Sequence, residues 1–503
     1  MRGSGAEKNS ADIIVVGGGG AALAAAGEAA RLGARVILVE KNRLLGGSTG
    51  LAVGLMMAAG TRIQRQAGIA DTPRHYDAEL TRIASDQGIA GNAELRWLLA
   101  RNAGDTVDFL ESIGVDFIGP FEQPPFKVKR YHQALLDGRA YVHYLHRHCN
   151  ALGVEIRLRT HAKRLLLTGA RVTGVEVVWP HGNVAQLTAR AGVILATGDF
   201  SANHELRARF VGQDPHAVGA YNPTASGDGH LMALEIGAAI APQPDLGPKI
   251  GTIAFARIAG THSLFDLLPY SVLTPMMKFG SRILPQPWLR PFIIRAALAD
   301  LPIESAFYEE GAILINRNGE RFADERHVSC NDVAEQPEGQ AFIAFDQRVA
   351  TLFSSWPRFV SAAPGVVYAY VDDFRRARRD LYITADSVRS LAARLDVPGS
   401  RLERTIASRS ASSAPLAQPP YYALGPLSAK VRHIPIGVTV NSRLQVLRPS
   451  GEAIAGLFAA GDVGQGGFAG PTHGQSLAWA MTSGRLAGRY ATEELGAQDA
   501  RRP

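Results

Sequence analysis

The sequence contains very little cysteine and no apolar run suited to crossing a membrane. Of its 503 residues only Cys149 and Cys330 are cysteines, and they are far apart and outside any C-x-x-C pair. Neither a disulfide framework nor a cysteine-based metal site is indicated, and a reducing compartment is favoured. His143 and His146 stand three residues apart, but no third ligand is spaced to join them, so we expect no metal site. No apolar signal-peptide segment precedes Ile13, which predicts a cytoplasmic protein.

The chain also lacks the charge and aromatic pattern of a nucleic-acid-binding protein. Its 53 basic and 46 acidic residues give a net charge of +7 that is spread over a long chain. The densest basic cluster, residues 375–379, has no interleaved aromatics, and we interpret it as a solvated surface. Apolar residues make up 46% and charged residues 20%, which excludes disordered and coiled-coil classes and leaves a globular protein of two or three domains.

The amino-terminal region has the residue pattern of a strand, a glycine turn, a helix and a second strand. The β-branched run Ile13–Val16 is followed by four glycines and the alanine-rich stretch Ala21–Ala30, and a second apolar run follows at Arg35–Val39. β-Branched residues favour strands, alanines favour helix, and Gly33 suits the position just past a helix end. This order predicts a βαβ unit.

Within this unit, the spacing Gly17-x-Gly19-x-x-Ala22 is typical of a dinucleotide-binding turn. Gly17 permits a tight turn, Gly19 permits close approach of the backbone to a pyrophosphate, and Ala22 permits close helix packing. The start of the helix supplies positive potential for the phosphates. Glu40 ends the second strand at the spacing of a carboxylate that binds ribose hydroxyls, and it would repel a 2′-phosphate, so the unit predicts FAD or NAD.

A second glycine-rich segment, Gly46–Gly50, follows Glu40 closely. Its backbone amides are placed to meet the rest of a long dinucleotide, which favours FAD over NAD. An ordinary loop is the alternative interpretation of this segment.

Local patterns elsewhere predict further helices and strands. A helical pattern in the first third of the chain is followed by strands that are predicted to form a small separate sheet. Two later apolar runs are predicted to be buried parallel strands that return to the first sheet. The predicted elements are a helical stretch at Pro73–Leu110, strands at Val154–Leu158, Leu165–Leu167 and Val172–Val178, returning strands at Ala191–Gly198 and Gly456–Asp462, and a final helix at Gln475–Tyr490.

Prolines become frequent between about residues 240 and 425, which indicates an inserted domain. We predict an α/β fold with a doubly wound, Rossmann-like FAD-binding domain formed by residues 1–240 and 425–503, with a helical segment at 60–150. Residues 241–424 are predicted to form an inserted α+β capping domain. Within it, Gly311–Glu325 predicts two strands joined by an Asn-Gly turn.

These motifs, taken in order, resemble the FAD-binding flavoprotein family of fumarate reductases, succinate dehydrogenases and 3-ketosteroid dehydrogenases. The resemblance covers most of the chain and is more specific for family and cofactor than for substrate. The matching pieces are Val16–Ala22 with Glu40 and Lys41, Gly46–Thr49, Ala196–Gly198, Ser226–Gly229, Gly311–Glu325 and Gly456–Gly488.

The resemblance implies a set of FAD-binding residues. It places Glu40 and Lys41 at the adenosine ribose, Asp228 near the adenine and Asp462 at the ribitol. The backbone amides of Ser476 and Leu477 are implied to face the flavin pyrimidine, where a helix start stabilises negative charge. The remaining cofactor-binding residues lie in the glycine turns and strand ends: Gly17, Gly19, Gly20, Ala22, Gly47, Ser48, Thr49, Thr197, Gly198 and Gly461. Ser48 and Thr49 occupy the loop in which membrane-complex members carry the histidine that bonds covalently to flavin, so noncovalent FAD is expected.

The family chemistry moves hydrogen across a C–C bond next to a carbonyl or carboxylate, with the hydride passing to or from flavin N5. Dicarboxylate reductases of the family carry a proton-donating arginine where this chain has Ser329, and their His-Pro-Thr segment and a later arginine are also missing here. Ketosteroid dehydrogenases use a tyrosine where this chain has Phe468. The site therefore lacks most of the cationic groups that would bind a dicarboxylate substrate.

Four residues are candidates for catalysis. His473 lies in the segment predicted beside the flavin and titrates near neutral pH. Arg130, Tyr131 and His132 lie in a segment that is rich in arginine and histidine in the family. A satisfied structural role is the alternative for each of them.

The apolar and aromatic segment 264–298 carries interspersed basic residues and several prolines, which prevent a continuous membrane span. We interpret it as a cap over the active site, with an apolar substrate funnel and a peripheral membrane contact as the alternatives.

The sequence thus predicts an FAD-dependent oxidoreductase acting on a hydrophobic small molecule with a carbonyl-activated C–C bond. A diffusible or separate electron donor or acceptor is implied, and no nucleic acid partner is expected. One alternative is a fumarate-reductase-like enzyme on a small carboxylic acid bound by Arg130, Arg257 or Arg326. Another is a flavoprotein subunit that transfers electrons with a membrane or protein partner.

Overall fold

The computed structural model describes residues 9–86, 91–122, 126–135, 137–211, 218–241, 251–255, 303–363, 367–408, 416–465 and 474–499, together with Val272 and Met276. The chain divides into two compact units. Unit 1 comprises Met1–Gly212, Asn222–Leu246 and His433–Pro503, and unit 2 comprises Gln213–Tyr221 and Gly247–Arg432. The predicted boundary between 424 and 425 falls inside a strand, Tyr421–Val431, whereas the division lies just after that strand.

The strands are numbered in chain order. They are β1 Ser10–Val16, β2 Val36–Val39, β3 Leu55–Met57, β4 Phe117–Phe121, β5 Tyr131–Ala134, β6 Glu155–Arg157, β7 His161–Thr168, β8 Arg171–Val178, β9 Val184–Leu195, β10 Gly219–Ala220, β11 Gly251–Phe255, β12 Ile313–Asn316, β13 Gln340–Asp346, β14 Ser361–Ala363, β15 Val367–Ala369, β16 Tyr382–Ala385, β17 Tyr421–Val431, β18 Gln445–Leu447 and β19 Ala453–Ala459.

The helices are numbered in the same way. They are α1 Gly20–Arg31, α2 Gly47–Leu51, α3 Arg62–Gln66, α4 Pro73–Asp86, α5 Ala93–Ser112, α6 Arg139–Ala151, α7 His204–Val211, α8 Asp228–Glu235, α9 Ser305–Glu309, α10 Cys330–Ala334, α11 Gln347–Leu352, α12 Val371–Ala377, α13 Val388–Leu395, α14 Gly399–Ala407 and α15 Gln475–Asp499, with short 3₁₀ turns at Pro337–Gly339 and Gly461–Gly464.

Unit 1 is built on a sheet with the strand order β18-β19-β9-β1-β2-β6, in which β19, β9, β1, β2 and β6 run parallel. All four residues of β2 and the last four of β1 are buried, as a parallel strand covered on both faces requires. The glycine turn and α1 connect β1 to β2. The predicted βαβ unit and the α/β fold class with a Rossmann-like first domain are confirmed.

The long strand β9 corrects one prediction. Its first half pairs antiparallel with β8, and its second half pairs parallel with β1 and β19. β7 and β8 therefore belong to the same sheet as the glycine turn, not to a small separate sheet. The sequence pattern indicated a strand only at Ala191–Gly198, because exposed residues alternate along the antiparallel half of β9, and the strand itself ends at Leu195.

The first and last helices pack closely against each other in unit 1. A side chain at Gly484 or Gly488 of α15 would collide with the backbone oxygens of Ala21 or Ala25 of α1, so both positions require glycine. The carboxylate of Glu28 in α1 is fully buried and pairs with Arg489 of α15 at 3.1 Å. These contacts fix α15 beside the glycine turn.

Unit 2 contains a sheet with the order β10-β17-β13-β12, in which β11 and β16 also pair with β17. The predicted Asn-Gly turn forms after β12, since the Gly319 amide donates to Asn316 O at 3.0 Å. Its second strand is reduced to one bridge between Ile315 and Arg321, and β12 pairs with β13 instead. Mixed helices and antiparallel strands give unit 2 an α+β composition.

Within the described ranges, every helix is too short or too polar to span a lipid bilayer. Most of the segment 264–298 lies outside the described residues.

Candidate active site

The site begins at the glycine turn between β1 and α1. Gly17 has φ +119°, and a side chain there would collide with the carbonyl oxygen of Ala196 at the end of β9. Gly19 has φ −81° and ψ −175°, and the nearest described atom to an added Cβ would be Gly46 O at 3.7 Å. The first glycine is thus required by the fold, whereas the space beside Gly19 is open toward the start of α1.

The second glycine-rich segment lies directly against this turn. The Gly46 amide donates to Gly18 O at 2.8 Å, and the Gly20 amide donates to Thr49 Oγ1 at 3.1 Å. The two glycine-rich segments are therefore in direct contact. The Thr49 hydroxyl accepts a hydrogen bond from one of the amides at the start of α1. The other amides of a helix's first turn have no carbonyl partner inside the helix, so they are available to a ligand.

Glu40 closes the opposite side of the turn. Its carboxylate accepts the Asn42 amide at 2.7 Å, and an added Cβ at Gly18 would lie 2.8 Å from its Cγ. Burial raises the pKa of the Glu40 carboxyl, since only 8% of the residue is exposed. This carboxylate is placed where the fingerprint predicts ribose hydroxyls, which would supply it with hydrogen-bond donors.

Lys41 and Asp228 form an ion pair at 2.7 Å beside Glu40. Ser226 Oγ donates to the same carboxylate at 2.9 Å, and His161 Nε2 lies 3.5 Å from it. Although burial opposes it, the hydrogen bonds from His161 and Lys41 hold the pKa of Asp228 well below its usual range. Lys41 and Asp228, two of the three residues that the resemblance assigned to the adenosine, are therefore in contact.

The segment 222–228, called the strap below, is tied to the dinucleotide-binding residues at three points. Asn222 Nδ2 donates to Ser48 Oγ at 2.9 Å, and Asn42 Nδ2 donates to Thr224 Oγ1 at 3.3 Å. Lys41 supplies the third tie through Ser226 and Asp228. Asn222 and Thr224 were missed from the sequence, because neither belongs to a recognisable motif.

We predict that Asn222→Ala speeds the release of FAD. Loss of the hydrogen bond to Ser48 should weaken the attachment of the strap by about 1 kcal/mol, which corresponds to roughly fivefold faster release. The rate is measured by trapping released flavin and following its fluorescence. Asn150→Ala, which changes an exposed asparagine of α6, is the matched control and should release FAD at the wild-type rate. Equal rates for Asn222→Ala and the wild type would contradict a role for the strap.

The strand ends of β9 and β19 bring further predicted residues to the same edge of the sheet. Thr197 Oγ1 is buried and has no hydrogen-bond partner within the described part of the chain. The Gly461 amide donates to Ser483 Oγ at 2.9 Å, and a Cβ at Gly461 would lie 2.9 Å from Ala21 Cβ. Gly198 follows Thr197 with φ +77°. These residues border the start of α1.

Ser476 and Leu477 lie in the first turn of α15, as predicted. Both are partly exposed, and they follow the fully buried Gln475. Met481, one turn further along α15, would be the first contact of a side chain at Gly20. The start of this helix is thus held near the glycine turn.

Asp462, which follows β19, belongs to a hydrogen-bonded cluster. His433 Nε2 lies 3.0 Å from Asp462 Oδ1, and Gln465 Nε2 lies 3.2 Å from the same oxygen. The nearby Asp199 accepts the amides of Ser201 and Ile434 at 3.1 and 2.9 Å. The ligand atoms of Asp199, His433 and Asp462 lie within 4.8 Å of one another. Because these atoms already bond to one another and to backbone amides, we interpret the cluster as an ion-pair network.

Arg130, one of the candidate catalytic residues, forms ion pairs inside the protein. Arg130 is fully buried, and its guanidinium binds both oxygens of Asp71, at 2.6 and 2.8 Å, and the carboxylate of Glu79. Its donors are occupied by carboxylates of the chain itself. We therefore propose a structural role for Arg130 in place of the predicted catalytic one.

His132 is also fully buried, with Nε2 2.9 Å from Thr61 Oγ1. Burial lowers the pKa of His132 to about 4, so the ring is neutral at neutral pH and suits hydrogen bonding better than proton transfer. Tyr131 is buried beside Gly474, whose added Cβ would lie 3.3 Å from its ring. His473 lies outside the described residues, and the catalytic roles of His473 and Tyr131 stay predictions.

The arrangement fits FAD on three observations. Open space adjoins Gly19 at the start of α1, the buried Thr197 Oγ1 after β9 has no hydrogen-bond partner among the described residues, and Glu40 carries a buried carboxylate at the position predicted for the ribose. A Rossmann-like sheet with this edge is typical of a dinucleotide-binding protein.

The comparison with known proteins identifies the family. The chain belongs to the FAD binding domain family, whose pattern it matches over residues 12–245 and 280–477. It is 25% identical over 488 residues to the probable fumarate reductase Ifc3 of Shewanella frigidimarina, covering 92% of this chain and 72% of that protein. It is 24% identical over 602 residues to the 4-oxocyclohexanecarboxylate 2-dehydrogenase of Sinomonas cyclohexanicum, covering 98% and 95%.

The fold comparison agrees. An open conformation of a flavocytochrome c3 fumarate reductase superposes with a TM-score of 0.73 at 24% identity, covering 97% of this chain and 78% of that one. The predicted family and the FAD cofactor are confirmed. The chain is an FAD-dependent oxidoreductase of the type that acts on CH–CH groups.

Proposed function

We propose that the protein dehydrogenates or reduces a C–C bond next to a carbonyl in a hydrophobic, ketone-type substrate. Bound FAD would supply the hydride acceptor or donor at flavin N5. The proposal rests on the arginines that would be needed to bind a dicarboxylate. Among the described residues, one expected arginine is replaced by Ser329, and the arginines that could substitute for it are already paired with carboxylates of the chain.

Unit 2 supplies the first part of this observation. Ser329, at the position of the expected arginine, caps α10 by accepting the Asp332 amide at 3.3 Å. The neighbouring Arg326 is 65% exposed and pairs with Asp324 at 2.8 Å. Arg321 binds Glu325, whose carboxylate also accepts the Leu314 amide at 3.0 Å. These arginines hold the local chain together.

Unit 1 supplies the second part, because Arg130 is fully engaged by Asp71 and Glu79. Two of the three arginines that a small acid would use are therefore already paired, and Arg257 lies outside the described residues. A ketone requires only a hydrogen-bond donor at its oxygen and one group that moves a proton. We assign the proton transfer to His473 or Tyr131.

A balanced reaction follows from this assignment. In dehydrogenation, the protein base would take the proton from the carbon next to the carbonyl, and bound FAD would supply the acceptor for the hydride of the neighbouring carbon. Reduction is the reverse, with the electrons coming from a diffusible or separate donor. Asp462 and the amides of Ser476 and Leu477 would hold the polyol chain and the ring of the cofactor.

The substrate is tested by comparing turnover on two sets of compounds with artificial electron donors and acceptors. We expect activity on cyclic enones and cyclic ketones, and at least about tenfold lower kcat/KM on fumarate and succinate, because unpaired cations normally contribute that much to carboxylate binding. Reduction of fumarate without activity on any ketone would overturn the substrate proposal and leave the flavin site unaffected.

A small carboxylic acid is the second candidate, favoured by the named activity of the Shewanella relative. On this alternative, Arg326 must leave Asp324 to bind substrate. Arg326→Gln should then raise KM for the acid steeply, whereas on the ketone proposal it should leave KM for a cyclic enone unchanged.

A further inference from the structure

The cluster around Asp462 contains a histidine that no motif in the sequence indicated. Asp199 follows β9 and Asp462 follows β19, so both lie at the carboxyl edge of the parallel sheet that carries the glycine turn. His433 stands at the point where the chain re-enters unit 1. Its Nε2 lies 3.0 Å from Asp462 Oδ1. A residue remote in sequence is thus attached to the predicted ribitol ligand.

Hydrogen bonds from neighbouring described residues restrain the side chains of the cluster. Asp199 is almost fully buried, and its two oxygens accept the Ser201 and Ile434 amides, the second of which adjoins His433. Gln465 Nε2 donates to Asp462 Oδ1 at 3.2 Å, beside the hydrogen bond from His433. The imidazole and the Asp462 carboxylate therefore have little freedom to rotate apart.

The charges of the cluster favour an ionised pair. Burial opposes the charged imidazole, but Asp462 and Asp199 outweigh it and raise the pKa of His433 to about 9. Although burial opposes it, the charge of His433 lowers the pKa of Asp462, whereas burial and the charge of Asp462 raise the pKa of Asp199. His230, a further titratable group near Asp462, bonds to Ile436 O at 3.0 Å, and burial lowers its pKa to about 4, so it stays neutral.

We propose that His433 is a positioning residue that holds the Asp462 carboxylate charged and oriented for the ribitol hydroxyls of FAD. This inference rests on the proposed assignment of Asp462 to the ribitol. A carboxylate fixed by a charged donor on one oxygen presents its remaining lone pairs to hydroxyl donors in one direction. Substrate is not involved, so the inference is tested without turnover.

The sign of the pH dependence follows from the ion pair. His433 carries its charge below a pH of about 9 and loses it above that value. Affinity for FAD should therefore be high at neutral pH and fall as the pH rises through about 9. Loss of a charge-assisted hydrogen bond corresponds to roughly a tenfold change in affinity.

The experiment titrates FAD into flavin-free protein between pH 6 and pH 10, with flavin fluorescence as the readout. Wild type should lose about tenfold in affinity across pH 9. His433→Gln should bind about tenfold more weakly at pH 7 and show no step near pH 9 beyond that of the flavin itself. His230→Gln is the matched control, since it replaces a buried histidine bonded to a carbonyl, and it should behave as wild type.

Two results would overturn the inference. One is a wild-type affinity for FAD that does not change across pH 9. This measurement does not depend on whether any variant folds. The other is His433→Gln binding FAD as tightly as wild type while Asp462→Asn binds weakly, which would leave the ribitol assignment intact. Unchanged affinity in Asp462→Asn as well would remove the assignment itself. None of these results bears on the choice between a ketone and an acid substrate.

Discussion

Gly19→Val should fold like the wild type and fail to hold FAD. The backbone at Gly19 is extended, which valine adopts readily, and the nearest described atom to its Cβ is 3.7 Å away. The new side chain would occupy the space at the start of α1, so the phosphates could no longer approach the backbone amides. Hydrogen bonds to a charged group contribute about 1.5–3 kcal/mol each, so we expect at least roughly a hundredfold loss of affinity.

The comparison variants separate binding from folding. Gly17→Val places a side chain at φ +119° against the Ala196 carbonyl, and we expect it not to yield folded protein. Gly496→Val changes a glycine of α15 with no described atom within 4 Å, and it should keep both fold and FAD. Circular dichroism reports folding, and flavin content after purification reports binding. Folded Gly19→Val that retains FAD would show that the pyrophosphate lies elsewhere.

Arg130→Met should destabilise the protein by about 3–5 kcal/mol, because it leaves buried carboxylates without a countercharge. The Asp71 side chain is fully buried and that of Glu79 is 9% exposed, so neither is well solvated. Although burial opposes it, hydrogen bonds from Arg130 and the Lys127 amide lower the pKa of Glu79. The stabilisation is therefore present above the ordinary pKa of glutamate and is lost as the pH falls through the lowered value.

The free energy of unfolding is measured in urea at neutral pH and again in mild acid. Arg82→Met is the control, since Arg82 forms an exposed i,i+4 pair with Asp86, and it should change stability by less than about 0.5 kcal/mol. A stable Arg130→Met protein that binds FAD but has lost turnover would contradict the structural role and restore the catalytic one.

The sequence predicted those parts of the fold and site that depend on short spacing. Gly17, Gly19 and Glu40 are separated by a strand, a turn and a helix of standard length, so their convergence follows from local geometry. The glycine segment at 46–50 is close enough in sequence to share this frame. Asp228 and Lys41 are 187 residues apart, and only the resemblance implied that both lie near the adenosine.

The remainder depends on contacts between distant segments, which leave no periodic signal. Arg130 meets Asp71 and Glu79 at separations of 59 and 51 residues, and an unpaired arginine has the same local pattern as a paired one. His433 and Asp199 belonged to no motif, so the sequence did not indicate their contact with Asp462. The antiparallel half of β9 was hidden because its exposed residues interrupt the apolar run.

The central claim is that the glycine turn near the amino end holds FAD. Purified protein is denatured, the released flavin is identified by chromatography, and its amount is compared with the protein concentration. We predict an equimolar quantity of intact FAD in the supernatant, released without proteolysis. Folded protein that is colourless and takes up no FAD on prolonged incubation would contradict the account.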